Sequence, residues 1–360
     1  PESPRLDFWH LDNEPRMRGE MEVATGKIRT IVGTGEEGYT GDGGLAIECT
    51  IGESYGCAFD AEDNLYICDG RNHTVRRIDR KTQIITTVAG TGVAGYSGDG
   101  GPAIEATMDN LYSLTLDTNG DIYIVDRLNS VIRKVDANTG IITTVAGTGE
   151  KGYGGDGGPG TQARMREPND CFLDGKGGLL IADIQDQRIR RLDLDSGIIT
   201  TFAGDGELRR EGDGRPATEA SLMGPRAICM DKRGNTYIAE REGNGVRKVD
   251  ANGIMSTYAG TGERGYTGDG GPALTATWGA PKAIRCDNQD NLIVVDTENN
   301  AVRFIDVASG IVTTIAGGHQ GGDGDGGDAI GCGLERPHGC GVDQQGTLYI
   351  ADGINHRVRI

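Results

Sequence analysis

Several things are missing from this chain of 360 residues, and each absence narrows its class. No apolar run approaches the roughly 18 residues a helix needs to cross a bilayer. No charged-then-apolar signal opens the chain, so no membrane partner is expected and a cytoplasmic location is. Positive charge is scarce: 36 Lys and Arg stand against 54 Asp and Glu, a net charge of -18. That balance argues against a nucleic-acid partner, because phosphate binding needs a concentrated basic surface. Paired C-x-x-C spacing is missing too. The eight cysteines (Cys49, Cys57, Cys68, Cys171, Cys229, Cys286, Cys332, Cys340) are therefore expected to be small buried hydrophobes in a reducing compartment, not a zinc or disulfide framework. Aromatics are only 5%, as suits thin layers joined by tight turns, and 36% hydrophobic residues still suffice for a sizeable core.

Glycine is abundant, 61 of 360 residues, and its placement is periodic. A Gly-Asp-Gly token recurs with its aspartate at Asp42, Asp99, Asp156, Asp213, Asp269 and Asp325, in steps of 57 or 56 residues. An arginine in a β-branched run keeps the same beat at Arg76, Arg133, Arg190, Arg247, Arg303 and Arg359. A period of this size with four short apolar stretches per unit indicates a propeller blade, not a helical solenoid. The second unit displays the four: SLTLD, then DIYIVD after Thr-Asn-Gly, then VIRKVD, then IITTVAG after Asn-Thr-Gly. Alternation and β-branched enrichment make them strands.

The expected fold is all-β, a single six-bladed β-propeller of four-stranded blades over residues 26–360, with the first strand of each unit lining a central channel. The chain stops at Ile360 in the third strand of its last unit, while Gly26 to Gly33 is an orphan fourth strand at the other end. The N-terminal strand is therefore expected to close the ring, which removes exposed edges. Residues 1–25, with Trp9 and His10, fall outside the repeat and are expected to form a surface extension.

Residues common to all six units are expected to serve the blade. The loop aspartates should form turns by accepting nearby backbone N–H groups. A calcium role would need six to eight oxygens, more than each loop offers. The acid ending the second strand (Asp69, Asp126, Asp183, Glu240, Asp296, Asp352) should pair with the repeated arginine.

The units AEDNLYICDGRNHTVRRID and QQGTLYIADGINHRVRI resemble NHL repeats, and the resemblance covers residues 26–360. His73 and His356 occupy the Asn-His position of that motif, which makes them structural. The resemblance implies NHL-type blades whose small-molecule site lies over the channel mouth, on the face holding the loop after the fourth strand and the loop between the second and third. It leaves function open, since such propellers include enzymes, interaction modules and RNA binders. Six-bladed relatives include the gluconolactonase group and the peptide-amidating lyases, and such propellers also occur as cyclases in natural-product pathways.

At the start of the innermost strand the six units differ: Tyr55, Tyr112, Asn169, Arg226, Lys282 and His338. In the gluconolactonase group the corresponding column carries carboxylate and amide metal ligands, and only Asn169 matches that pattern here. The amidating lyases place several histidines on a metal, and this column has His338 alone. Arg226 and Lys282 would repel a divalent cation, so no metal and no cofactor are expected. The residues themselves suggest an anion or oxyanion site. Arg226 can grip a carboxylate or enolate through its planar fork, with Lys282 as a point charge beside it. The two cations should leave His338 suited to proton transfer near neutrality. Tyr55 and Tyr112 can donate hydrogen bonds or stack on a planar ligand.

Glu53, Glu167 and Asp170 are candidate bases from adjacent columns, while Arg71, Arg127 and Arg241 in the second-to-third-strand loops would thicken a positive rim. The function expected is a metal-independent lyase, dehydratase or cyclase acting on a small anionic or phenolic substrate. A non-enzymatic ligand- or protein-binding propeller and a metal-dependent lactonase-like hydrolase remain open beside it. Oligomeric state is not legible.

Overall fold

The computed structural model describes residues 26–360, so the expected extension over residues 1–25 lies outside the described residues. Six sheets surround a central channel, each built on a four-stranded antiparallel meander. In the first blade the strands are Ser54–Phe59, Leu65–Asp69, Thr74–Ile78 and Ile85–Ala89. The innermost strands of the other five are Leu111–Leu116, Pro168–Leu173, Pro225–Met230, Ala283–Cys286 and Gly339–Val342. Each touches its neighbours around the full circle, the sixth returning against the first. Close approach at that seam needs glycine: a Cβ on Gly339 would overlap the Tyr55 carbonyl oxygen.

The sixth blade takes its outer strand from the other end of the chain. Thr30–Val32 pairs antiparallel with Arg357–Arg359, Thr30 opposite Arg359 and Val32 opposite Val358. The fifth blade departs most from the repeat. Its outer strand runs on through Ile311–Gln320 and pairs in parallel with Ile330–Leu334.

Burial explains the residue choice in each layer. Second strands such as LYICD and IYIVD are buried along their whole length, hence their continuous apolar runs. Outer strands such as Ile142–Ala146 bury only their ends and carry threonines between them. The core is divided into six clusters, one between each pair of neighbouring blades. All eight cysteines are free thiols, and only Cys286 is partly exposed. No helix among the described residues is long and apolar enough to cross a membrane.

The repeated ion pairs differ from the sequence expectation. Each repeated arginine is fully buried, and its nearer partner is the loop aspartate, not the acid ending the second strand. Arg76 lies 2.6 Å from Asp42 and 3.9 Å from Asp69. Arg133 lies 2.9 Å from Asp99 and 3.7 Å from Asp126, and Arg359 lies 2.7 Å from Asp325 and 3.5 Å from Asp352. The loop carboxylate is thus more than a local turn former. Asp42 sits in the connector entering the first blade, where it also accepts the Thr87 backbone N–H of the outer strand at 3.0 Å. The connector is fastened to the third and fourth strands of the blade it enters, which sequence spacing alone does not reveal.

The motif histidines have a backbone explanation. The position after the second strand's short turn is filled by His73, Ser130, Gln187, Asn244, Asn300 and His356, all left-handed with φ between 45° and 54°. The turn needs a residue that tolerates that conformation, and His73 Nδ1 also accepts the Asn110 backbone N–H at 3.1 Å, as the side-chain oxygens of Gln187, Asn244 and Asn300 accept backbone N–H groups of the next unit.

Candidate functional site

The six unlike residues converge. Tyr55, Tyr112, Asn169, Arg226, Lys282 and His338 line one cavity at the mouth of the channel, each delivered by the start of a different innermost strand. They are packed tightly. The Tyr55 ring lies 4.5 Å from that of Tyr112 and 4.6 Å from that of His338. The Arg226 guanidinium stacks 4.4 Å above the Tyr112 ring, and Arg127 stacks on that ring at the same distance. Lys282 Nζ stands 3.1 Å from His338 Nε2. Asn169 turns inward along its own strand and donates to the Glu167 carbonyl at 2.7 Å. The space left between these side chains is about 10 Å³, room for one water molecule at most.

The electrostatics are lopsided. Arg226 is only 5% exposed and makes no ion pair among the described residues. Burial lowers its pKa to about 10 despite the Tyr112 and Asp170 charges nearby. Burial, then Arg226 and Arg336, pushes Lys282 down to about 7. Burial, then Lys282 and Arg226, holds His338 well below the usual imidazole value. The group poised near neutrality is therefore the amine, whereas the imidazole stays neutral. With Nε2 accepting from Lys282, His338 Nδ1 is a buried atom without a partner. The nearest counter-charge is Glu298, 3.7 Å from Lys282 and 3.0 Å from Arg336.

The three loop arginines do not thicken a positive rim as expected. Arg71 donates to Glu53 at 2.8 Å, and Tyr55 donates its hydroxyl to the same carboxylate at 2.7 Å. Those bonds keep Glu53 ionised below its ordinary value although burial opposes them. Burial and the Glu53 hydrogen bond raise the Tyr55 phenol. Arg127 pairs with Glu167, and Arg241 lies 3.3 Å from Glu242. Each loop arginine faces an acid, so Glu53 and Glu167 are held by partners and the rim charge largely cancels.

Asp170 lies one layer deeper. It accepts Ser113 Oγ, the Ile228 backbone N–H at 2.9 Å, and Arg285 at 3.1 and 3.2 Å. A carboxylate so fully engaged is a structural acceptor, not a free base. Arg285 touches both the upper cavity and a larger one of about 400 Å³ that opens toward the opposite face past Cys57, Leu114, Phe172 and Val342. The Asp170–Arg285 pair is a bar across the channel between the two spaces.

Comparison with known proteins agrees with the repeat. A family model described as the Teneurin NHL domain matches residues 205–267. NHL repeat-containing protein 2 of Homo sapiens is 25% identical over 334 residues, covering 83% of this chain and 44% of that protein. The Arabidopsis thaliana protein SUPPRESSOR OF QUENCHING 1, chloroplastic, is 26% identical over 315 residues, covering 84% of this chain and 29% of that protein. The chain is a six-bladed β-propeller whose repeat is similar to that of NHL-repeat proteins.

The propeller spans less than half the length of both relatives. Among solved structures, an auxiliary nutrient binding protein from Bacteroides thetaiotaomicron superposes with a TM-score of 0.67 at 18% identity, covering 92% of this chain and 75% of that one. A gluconolactonase from Xanthomonas campestris superposes at 0.57 with 14% identity, covering 86% of each chain. At these identities the likeness is one of fold. Among the described residues no group of three or more His, Cys, Asp or Glu could hold a metal ion.

Arg285 and its pairing with Asp170 escaped the sequence reading although the repeat contains their signal. One and three residues after the mouth column, the units read Gly56, Ser113, Asp170, Ala227, Ala283, Gly339 and Ala58, Thr115, Phe172, Cys229, Arg285, Gly341. Each column holds one charge, and the two charges meet. Glu298 and Arg336 were missed because they lie in connecting loops, whose reach toward the mouth no repeat position encodes.

Proposed function

We propose that the channel mouth binds a small organic anion, carboxylate or phenolate, and acts on it by metal-independent acid–base chemistry of the lyase, dehydratase or cyclase kind. The observation that carries this is Arg226: a buried guanidinium with no carboxylate partner among the described residues, beside Lys282 and a His338 whose Nδ1 is unsatisfied. A desolvated cation without a counter-ion is costly, and an anionic ligand supplies what is missing. Arg226 would hold the carboxylate or enolate oxygen. Lys282, near neutrality the unprotonated amine for part of the population, would take a proton from the substrate while donating one of its own N–H bonds to His338. Charge developing on oxygen would be stabilised by Arg226 at no cost in reorganisation. A ligand larger than water would sit over the mouth or displace a mouth side chain, since the space between those side chains is so small.

That tight packing favours a second reading, a propeller that binds its ligand without transforming it. Solved structures of the same fold include both an auxiliary nutrient binding protein and a gluconolactonase, so the fold accommodates either outcome. The test is calorimetric titration of the protein with a panel of small carboxylates and phenolates, followed by product analysis of those that bind. Binding that Arg226→Met removes, with turnover that Lys282→Met removes while binding persists, is the expected result. Binding without turnover selects the second reading. Equal binding by the wild type and Arg226→Met overturns the site.

A further inference from the structure

The fourth and fifth blades bring two thiols together outside the site just described. Cys229 lies on the innermost strand Pro225–Met230 and Cys286 on the innermost strand Ala283–Cys286, with sulfurs 3.3 Å apart. The repeat does not demand this meeting. Cys229 stands where other units have Ala58, Thr115, Phe172, Arg285 and Gly341, and Cys286 where they have Phe59, Leu116, Leu173, Met230 and Val342. Two different columns each carry a cysteine in adjacent blades, and the offset of one residue puts the thiols in contact. Their exposures differ: Cys229 is fully buried in the inter-blade core with Tyr237 and Trp278, while Cys286 is the one partly exposed cysteine of the eight.

From this geometry we infer that Cys229 and Cys286 are an oxidisable dithiol that hydrogen peroxide converts to a disulfide stapling the fourth blade to the fifth. A disulfide needs about 2.05 Å between sulfurs, so the pair must close by only about 1.2 Å, within reach of small side-chain rotations. The exposed partner reacts first, because burial holds the Cys229 thiol well above its ordinary value. The Cys286 thiolate attacks one peroxide oxygen, the O–O bond breaks, hydroxide leaves and a sulfenic acid forms. The Cys229 sulfur then attacks the Cys286 sulfur, the S–O bond breaks and the S–S bond forms. The departing hydroxide carries off the Cys229 proton as water. Two thiols lose two electrons and the peroxide is reduced to two waters.

The staple would sit on the strands that carry the mouth cations, with Arg226 upstream of Cys229 and Lys282 upstream of Cys286. Oxidation would therefore fix the spacing of those two cations, whatever ligand the mouth takes.

The test is to expose the fully reduced chain to graded hydrogen peroxide, block remaining thiols with N-ethylmaleimide and map peptides without reduction. The expected product links the Cys229 and Cys286 peptides, weighs two hydrogen atoms less than the reduced pair, and reverts with dithiothreitol, while the buried Cys57 and Cys340 stay alkylatable after unfolding. Cys229→Ser should instead leave Cys286 as a sulfenic acid captured by dimedone, and Cys286→Ser should leave Cys229 a thiol. The melting temperature should rise on oxidation of the wild type and in neither variant. A reduced Cys229–Cys286 pair while other thiols oxidise, a link between other cysteines, or no dimedone capture at Cys286 in Cys229→Ser overturns the inference.

Discussion

Arg285 Nη1 and Nη2 lie 3.1 and 3.2 Å from the two carboxylate oxygens of Asp170, so a guanidinium of the fifth blade grips a carboxylate of the third across the channel. Asp170 raises the Arg285 pKa against the opposing effect of burial, and Ser113 and the Ile228 N–H complete the carboxylate's shell. Such a pair contributes little net stability but is costly to break, because the survivor is left buried and charged. Arg285→Met is expected to cost about 3–5 kcal/mol by denaturant unfolding, with Asp170→Asn in the same background recovering part of it. A loss under about 1 kcal/mol for Arg285→Met would mean that water, not protein, solvates Asp170.

The third blade departs from the repeat at one buried position. Where Asn72, Asn129, Asn299 and Asn355 each donate to the acid ending their second strand and to a connector carbonyl, the third unit has Asp186. Asp186 Oδ2 is buried without a partner, and burial followed by the Asp186 charge raises Asp183 well above the usual carboxyl value. Asp186→Asn should restore the repeat's hydrogen bonds and stabilise by about 1 kcal/mol or more. The sign with pH follows from Asp183. Its folded pKa is raised, so the native state holds extra protons and wild-type stability falls as pH climbs from about 4 through the raised value. The gain from Asp186→Asn should therefore be larger near pH 8 than near pH 5, checked by melting curves at both.

The fold was legible because its determinants repeat. Phased glycines, strand alternation and the orphan strand at Gly26 to Gly33 are local signals copied six times, and copies average out the noise of any one. The mouth column was legible for the opposite reason: Arg226 and His338 stand out only against five dissimilar counterparts at the same blade position. What failed was everything requiring distance between columns. The sequence reading assigned Arg71, Arg127, Glu53 and Glu167 to separate roles, although the two loops bring each arginine against an acid and cancel it. It also assigned the near-neutral pKa to His338, because burial, the largest influence on both groups, cannot be read from charge pattern.

Lys282 gives a second pH signature in a separate window. Its folded pKa is lowered to about 7 by burial and Arg226, against about 10.4 in an unfolded chain. Between those values the unfolded state binds the extra proton, so this group makes wild-type stability rise with pH from about 7 upward. Lys282→Met should flatten that rise, an effect on the order of a few kcal/mol across the window. Urea midpoints at about pH 7 and about pH 9.5 in both proteins check it, and parallel slopes would show that Lys282 titrates normally.

A direct contrast separates blade residues from mouth residues. Arg133 is fully buried, and its closer counter-charge is Asp99 at 2.9 Å, with Asp126 at 3.7 Å. Asp99→Ala removes the nearer of two partners and detaches the connector from its blade, so it should cost about 3 kcal/mol and leave the mouth chemistry of surviving folded protein unchanged. Arg226→Met does the reverse. It replaces a buried cation that has no carboxylate partner by an apolar chain of similar length, which should be neutral or stabilising in thermal unfolding. Loss of an oxyanion donor should nonetheless lower turnover by about 10²- to 10³-fold once a substrate is found. The two readouts, melting temperature and rate, must move in opposite columns. If Arg226→Met destabilises as much as Asp99→Ala and leaves turnover intact, the guanidinium is a structural clasp and the anion site at the channel mouth is refuted.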